Sequence, residues 1–202
     1  PEAMWVAWPE TPDGGLSLDG IYLMRELAPR FTALLMGPGL AREPETLALV
    51  QDILKVFPLP VVLDADALQP DLVRAGGAPR VLTPHAGEFA RIAGGQELAA
   101  FAGAGRVVVL KGPITQIGGE GRVYHSFFGG PVLARGGSGD VLAGLIGGQL
   151  AQTPAQPLAA AARGVVWHGL AADRLARSQG SVAVQTTQLL DFLSAALRTD
   201  CS

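Results

Sequence analysis

The sequence predicts an α/β fold: a mostly parallel central sheet covered by helices on both faces, with an antiparallel edge. Three observations carry this. The apolar runs Val61-Val62-Leu63, Val81-Leu82 and Val107 to Leu110 are continuous rather than alternating, as in strands buried on both faces. Helix-spaced apolar positions intervene, which suggests parallel crossover units. Each run also ends in polar or glycine residues, Asp64-Ala65-Asp66, Thr83-Pro84-His85 and Lys111-Gly112. In a parallel sheet such tails converge on one rim, where open α/β sheets bind ligands.

Taken in order, Ala33 to Gly37 is a short apolar run ending in Gly37-Pro38-Gly39. Pro44 to Phe57 follows with Leu47, Val50, Ile53 and Leu54 at helical spacing. The three strands named above come next. Ile114 to Ile117 and Arg122 to His125 then flank Gly118-Gly119-Glu120-Gly121, as the arms of a hairpin would. Gly136-Gly137-Ser138-Gly139-Asp140 opens a helix over Val141 to Gln152, with apolar residues at Leu142, Leu145, Ile146 and Leu150. An Ala-rich helix from Pro157 to about Ser178 ends before Gly180, and Thr187 to Leu197 makes a last amphipathic helix. No internal repeat or low-complexity linker interrupts this pattern.

At 202 residues, 49% apolar and 16% charged, with 27 glycines, the chain has the composition of a single packed, turn-rich domain. Its formal charge of -3 comes without a Lys/Arg cluster, so the electrostatic grip that nucleic-acid binding requires is missing. No apolar stretch approaches the ~20 residues of a membrane span. The lone cysteine, Cys201, cannot form an intrachain disulfide, which suits a reducing compartment. A cytoplasmic chain with neither nucleic-acid nor membrane partners is expected.

The segment richest in chemistry is Gly136 to Asp140. Glycines let backbone N–H groups turn inward, and a helix N-terminus adds partial positive charge, so the segment forms an anion hole. Asp140, in or near the first turn, can accept a proton from a substrate hydroxyl, which supplies the cradle and base of phosphoryl transfer. The plain alternative is an Asp N-cap after a flexible loop. No Gly-Lys-Ser/Thr follows, so this is not a P-loop.

Lys111-Gly112-Pro113-Ile114-Thr115 offers a cation and a close backbone approach for a nucleotide, or else a solvated lysine at a strand end. His85, after Pro84, can hydrogen-bond a substrate or cap a helix. Gly37-Pro38-Gly39 and Asp64-Ala65-Asp66 bring turn glycines and carboxylates to neighbouring strand ends, where either carboxylate can help hold Mg²⁺ through water. His125 and His168 read as structural, and Trp5, Trp8 and Trp167 as packing residues. No zinc or Ser/His/Asp pattern emerges.

Together, Gly37-Pro38-Gly39-Leu40, Asp64-Ala65-Asp66-Ala67-Leu68, Thr83-Pro84-His85-Ala86-Gly87-Glu88, Val109-Leu110-Lys111-Gly112 and Gly137-Ser138-Gly139-Asp140-Val141-Leu142 resemble the ADP/ATP-dependent (S)-NAD(P)H-hydrate dehydratases. The resemblance extends over most of the chain. It implies a ribokinase-like three-layer α/β/α fold and a lyase of metabolite repair, which dehydrates the S epimer of hydrated NADH or NADPH while ADP, or ATP, is consumed. It implies phosphorylation of the hydrate's C6 hydroxyl followed by loss of phosphate.

On matching positions, the resemblance makes Asp140 the base and a substrate contact. Gly137, Ser138 and Gly139 become the anion hole, and Lys111, Gly112, Pro113, Ile114 and Thr115 the nucleotide contact. Gly37, Gly39, Asp64 and His85 face the hydrated dinucleotide. Mg²⁺ is expected with the nucleotide but no protein-built metal site, alongside a link to an NAD(P)H-hydrate epimerase and a homo-oligomeric state. Residues 1–202 are expected to form one domain that lacks a Gly-rich N-terminal βα unit. The family also shows a fuller helix over Gly94 to Gly105, and more often Asn and Thr at Gly130 and Arg135. A vitamin-precursor kinase of the same superfamily, or a non-catalytic nucleotide-binding subunit, are the rival readings.

Overall fold

The computed structural model describes residues 3–103 and 105–198; Pro1, Glu2 and Cys201 lie outside them. Helix α1 (Ile21–Leu27) precedes strand β1 (Leu34–Met36) and α2 (Pro44–Val56). Then follow β2 (Val61–Leu63), β3 (Arg80–Leu82), α3 (Ala86–Ala93), the single turn α4 (Leu98–Phe101), β4 (Arg106–Leu110), β5 (Thr115–Gly119) and β6 (Arg122–Ser126). Helices α5 (Ser138–Gln152), α6 (Pro157–Gln179) and α7 (Leu189–Leu197) follow among the described residues.

The six strands form one sheet in sequence order, β1 to β4 parallel and β5 and β6 antiparallel. Right-handed crossovers between strands in that order place every connection on the same face. The packing follows. Val61, Leu63, Leu82 and Val108 turn to one side, under Val50 and Leu54 of α2, Ile92 of α3 and Phe101 of α4. Their neighbours Val62, Val81, Val107 and Val109 turn to the other, where Leu142, Ile146 and Leu150 of α5 and Ala160, Ala161 and Val165 of α6 cover them. Three layers result, as expected.

The hairpin turn and the start of α5 differ from the sequence reading, and α7 begins at Leu189 rather than Thr187. The hairpin turn is only Glu120-Gly121, both at positive φ (53° and 73°), as a two-residue turn matching strand twist requires. Gly118 and Gly119 belong to β5, pairing with Val123 and Arg122 of β6; glycine fits there because a Cβ on Gly118 would fall 2.8 Å from the Ala102 side chain and one on Gly119 3.0 Å from Leu158. Helix α5 begins at Ser138 rather than Val141, so Asp140 lies inside its first turn. Between Gly94 and Gly105, where the family shows a fuller helix, the described residues form the single turn α4.

Among the tryptophans, Trp167 packs against the α6–α7 core and donates to Leu193 O, and Trp8 donates to Ser17 O. Trp5 is instead 86% exposed and is no packing residue, since no described element covers it. No helix among the described residues is long and apolar enough to cross a membrane.

Candidate functional site

The carboxyl ends of the parallel strands stand side by side because the ladder continues past them. Asp64 N donates to Met36 O (3.0 Å), Thr83 N to Leu63 O (3.1 Å) and Lys111 N to Pro84 O (2.8 Å). Gly37 lies so close to the next strand tip that a Cβ there would stand 1.7 Å from Asp64 O. Its φ of 130° is also reserved for glycine.

Asp64 is 1% exposed. An ionised carboxylate out of water needs a cation and hydrogen bonds, and Oδ1 has both, from Thr83 Oγ1 at 2.7 Å and Lys111 Nζ at 2.9 Å. Expected to face the hydrated dinucleotide, this carboxylate is buried beneath the rim; what it presents outward is the lysine. Asp66 is paired as well, with Arg42 Nε at 2.8 Å.

Across from Lys111, Gly137 enters α5 in the left-handed region with φ 81°. First-turn amides of a helix have no intrahelical acceptors, and here they lie beside a cation: a Cβ on Gly139 would be 3.3 Å from Lys111 Nζ. Asp140 is exposed in the same turn. The bend is braced from the chain before α7, where Thr186 Oγ1 donates to Gly136 O at 2.8 Å and Arg135 donates to Ser181 O and Val182 O at 3.1 and 2.6 Å.

Lys111, Gly112, Pro113, Thr115, Ser138 and Gly139 line a single cavity of about 650 Å³. Six of the eight residues assigned to the nucleotide therefore meet there. Gly137 lies one residue before this lining, and Ile114 is 43% exposed outside it. The rest of the lining is mostly apolar, from Phe128, Pro131, Leu133, Ala134 and Leu142 with His168. The residues assigned to the hydrated dinucleotide, Gly37, Gly39, Asp64, His85 and Asp140, are not in this lining; they belong to the strand-end rim and the α5 first turn.

His85 caps α3. Its Nδ1 accepts from Gly87 N (3.0 Å) and Glu88 N (3.2 Å), while its own N donates to Glu88 Oε2 (2.8 Å), a reciprocal capping box. The imidazole stays largely exposed; with Nδ1 accepting, Nε2 carries the ring N–H and lies 3.6 Å from Glu88 Oε1.

His168, read from sequence as merely structural, is buried and lines the cavity, its Nε2 3.5 Å from Ser138 Oγ. Burial pulls its pKa down to about 4 against a hydrogen bond with the Ser138 backbone, so the ring is neutral near pH 7. The missed signal was register: His168 falls at helical spacing among Ala161, Gly164, Val165, Ala171 and Ala172, the core-facing residues of α6. Phe128 and Leu133 gave no comparable local sign; Phe128 is seated because Gly169 has no side chain, a Cβ there coming 2.4 Å from it.

Among the described residues, no three His, Cys, Asp or Glu side chains gather into a metal site.

Residues 16–195 match the family described as NAD(P)H-hydrate dehydratase. The "Bifunctional NAD(P)H-hydrate repair enzyme Nnr" of Moorella thermoacetica is 41% identical over 214 residues, covering 98% of this chain and 40% of that protein. The "ADP-dependent (S)-NAD(P)H-hydrate dehydratase" of Xanthomonas campestris is 41% identical over 162 residues, 74% of this chain and 56% of that one. The chain thus spans roughly half or less of the length of these curated relatives. Among solved structures, an ADP/ATP-dependent NAD(P)H-hydrate dehydratase from Bacillus subtilis, co-crystallised with ATP/Mg²⁺ and soaked with CoA, superimposes with a TM-score of 0.73. It is 28% identical, over 91% of this chain and 78% of that one.

Proposed function

The chain belongs to the NAD(P)H-hydrate dehydratase family, and from that premise we propose that it dehydrates the S epimer of hydrated NADH or NADPH, converting ADP to AMP as it does so. One observation carries the reading: the Lys111–Thr115 segment and the first turn of α5 border the same 650 Å³ cavity, with an ammonium beside the helix's open amides.

In this reading the adenine nucleotide lies in the cavity with its base against the apolar wall and its phosphates at Gly137 to Gly139. The hydrated nicotinamide ring approaches along Gly37, Gly39 and His85. Its hydroxyl oxygen bonds to the terminal phosphorus of ADP, the bond from that phosphorus to the AMP oxygen breaks, and Asp140 takes the hydroxyl proton. The phosphate then leaves with the C–O bonding pair and a ring proton is lost, restoring the double bond. A hydroxide-like leaving group has become a phosphate.

Mg²⁺ usually keeps its waters and binds through one or two carboxylates plus substrate phosphates. With no carboxylate cluster among the described residues and both Asp64 and Asp66 paired, the ion fits as one carried on the nucleotide, with Asp140 the exposed carboxylate of the first turn of α5. Bound there, it supplies charge neutralisation. The Xanthomonas relative, an ADP-dependent dehydratase, supports ADP rather than ATP as the co-substrate. The bifunctional name of the Moorella relative supports a partnership with an NAD(P)H-hydrate epimerase.

Incubation with hydrated NADPH and ADP or ATP, followed by the returning near-ultraviolet absorbance of NADPH, tests the proposal. Recovery dependent on nucleotide is expected, with ADP the better co-substrate. Phosphorylation of hydroxymethylpyrimidine or hydroxyethylthiazole without NADPH recovery would replace this reading with a kinase.

A further inference from the structure

We infer that Asp64 and Thr83 are positioning residues, which hold the Lys111 ammonium in register with the first turn of α5. This deepens the proposed function and rests on it.

Lysine has a flexible four-carbon stem, and at a strand end it would ordinarily sample solvent. Here three strand tips restrain it. Asp64, just after β2, accepts a hydrogen bond from the ammonium at 2.9 Å; Thr83, fully buried after β3, donates to the same Oδ1 at 2.7 Å and fixes the carboxylate's rotation. Lys111 follows β4, between them and the Gly139 side, where its Nζ lies 3.3 Å from the space a Cβ would fill. An ammonium carries three donors, so those not taken by Asp64 remain for phosphate oxygens.

The pair is formally neutral, so it adds aimed N–H groups to the cradle without adding net positive charge. Aimed donors act on the charge that develops during transfer, whereas a mobile cation strengthens ground-state binding as much. The two residues should therefore act on turnover more than on nucleotide affinity.

The experiment compares wild type, Asp64→Asn, Lys111→Met, the double variant, Thr83→Val and Thr83→Ser. It measures ADP affinity by calorimetry, kcat with hydrated NADPH, and the Lys111 ammonium resonance in lysine-labelled protein. Asp64→Asn should keep ADP affinity within about threefold or tighten it, yet lower kcat by about a hundredfold, the scale of a small misplacement. The double variant should be no slower than Lys111→Met alone, because both remove one device. Thr83→Val should slow turnover about tenfold and Thr83→Ser restore it.

Full turnover in Asp64→Asn, additive losses in the double variant, or an ammonium signal still ordered without Asp64 overturns the inference. Should Asp64→Asn not fold, Thr83→Val, which retains the ion pair, decides by the same kinetic split. A wild type that binds ADP without dehydrating the hydrate defeats the proposed function, and the ammonium resonance then judges the positioning role by itself.

Discussion

His168 Nε2 lies 3.5 Å from Ser138 Oγ, which ties the middle of α6 to the first residue of α5 where both border the cavity. Burial keeps the imidazole out of water, and against the raising effect of a hydrogen bond with Ser138 its pKa falls to about 4 from 6.5. A histidine depressed in the fold is protonated more readily in the unfolded chain, so its contribution to stability is whole above about pH 6.5. That contribution is lost as pH falls through the window toward about 4, and it levels off below. At about 1.4 kcal/mol per unit, the span is on the order of 3 kcal/mol. Denaturant unfolding of wild type and His168→Leu between pH 4 and 8 checks this: the difference between the two curves should slope across that window. A constant difference would refute the assignment.

Asp140→Asn should leave ADP affinity nearly intact, since the anion hole is made of backbone, while dehydration slows by about 10² to 10⁴, the range for removal of a general base. Calorimetry with ADP and the NADPH recovery assay read the two separately. Retained turnover would remove Asp140 from the chemistry.

Gly139→Ala sets stability against function. The backbone there is helical, so alanine should leave the melting temperature unchanged or raise it slightly. Its Cβ would nonetheless press within 3.3 Å of Lys111 Nζ, pushing the ammonium a few tenths of an ångström off its aim at the cradle. ADP affinity or turnover should fall about tenfold in a protein no less stable than wild type.

The layered sheet was legible because its strands are continuous Val/Leu runs, and the rim was legible because each run stops at a polar or glycine residue. The α5 cradle was legible from glycines meeting a helix. What escaped depends on distant partners. Gly118 and Gly119 look like turn residues locally, and only Leu98, Ala102 and Leu158 explain why β5 carries glycine there. Asp64 and Lys111 are 47 positions apart, so the sequence offers each as a free charge and nothing pairs them until β2, β3 and β4 are laid side by side. His168 could have been placed by register, yet not its contact with Ser138, which requires α5 and α6 to be packed together.

Gly37→Ala should be damaging out of proportion to one methyl group. At φ 130° the residue is strained for any L side chain, and the new Cβ would overlap Asp64 O. The strand tips would have to separate, at a cost on the order of 3 kcal/mol, and the Asp64–Lys111 pair would move with them. Thermal unfolding should show the loss, with a melting temperature lowered by several degrees.

His85 carries two roles that one pair of substitutions separates. As N-cap of α3 it accepts from Gly87 N and Glu88 N, so His85→Ala should cost about 1 kcal/mol of stability. Asparagine supplies a side-chain oxygen that can take the same amide hydrogens, and His85→Asn should recover most of that loss. The Nε2–H of the exposed ring, beside Glu88 Oε1, has no equivalent in the shorter side chain. If it hydrogen-bonds the hydrated dinucleotide, His85→Asn will raise the KM for hydrated NADPH about tenfold while leaving ADP affinity and melting temperature near wild type, by the scale of one hydrogen bond to a polar ligand. A His85→Asn variant with wild-type KM would make the residue a helix cap and nothing more, and the dinucleotide would then be held on this rim by the backbone of Gly37 and Gly39.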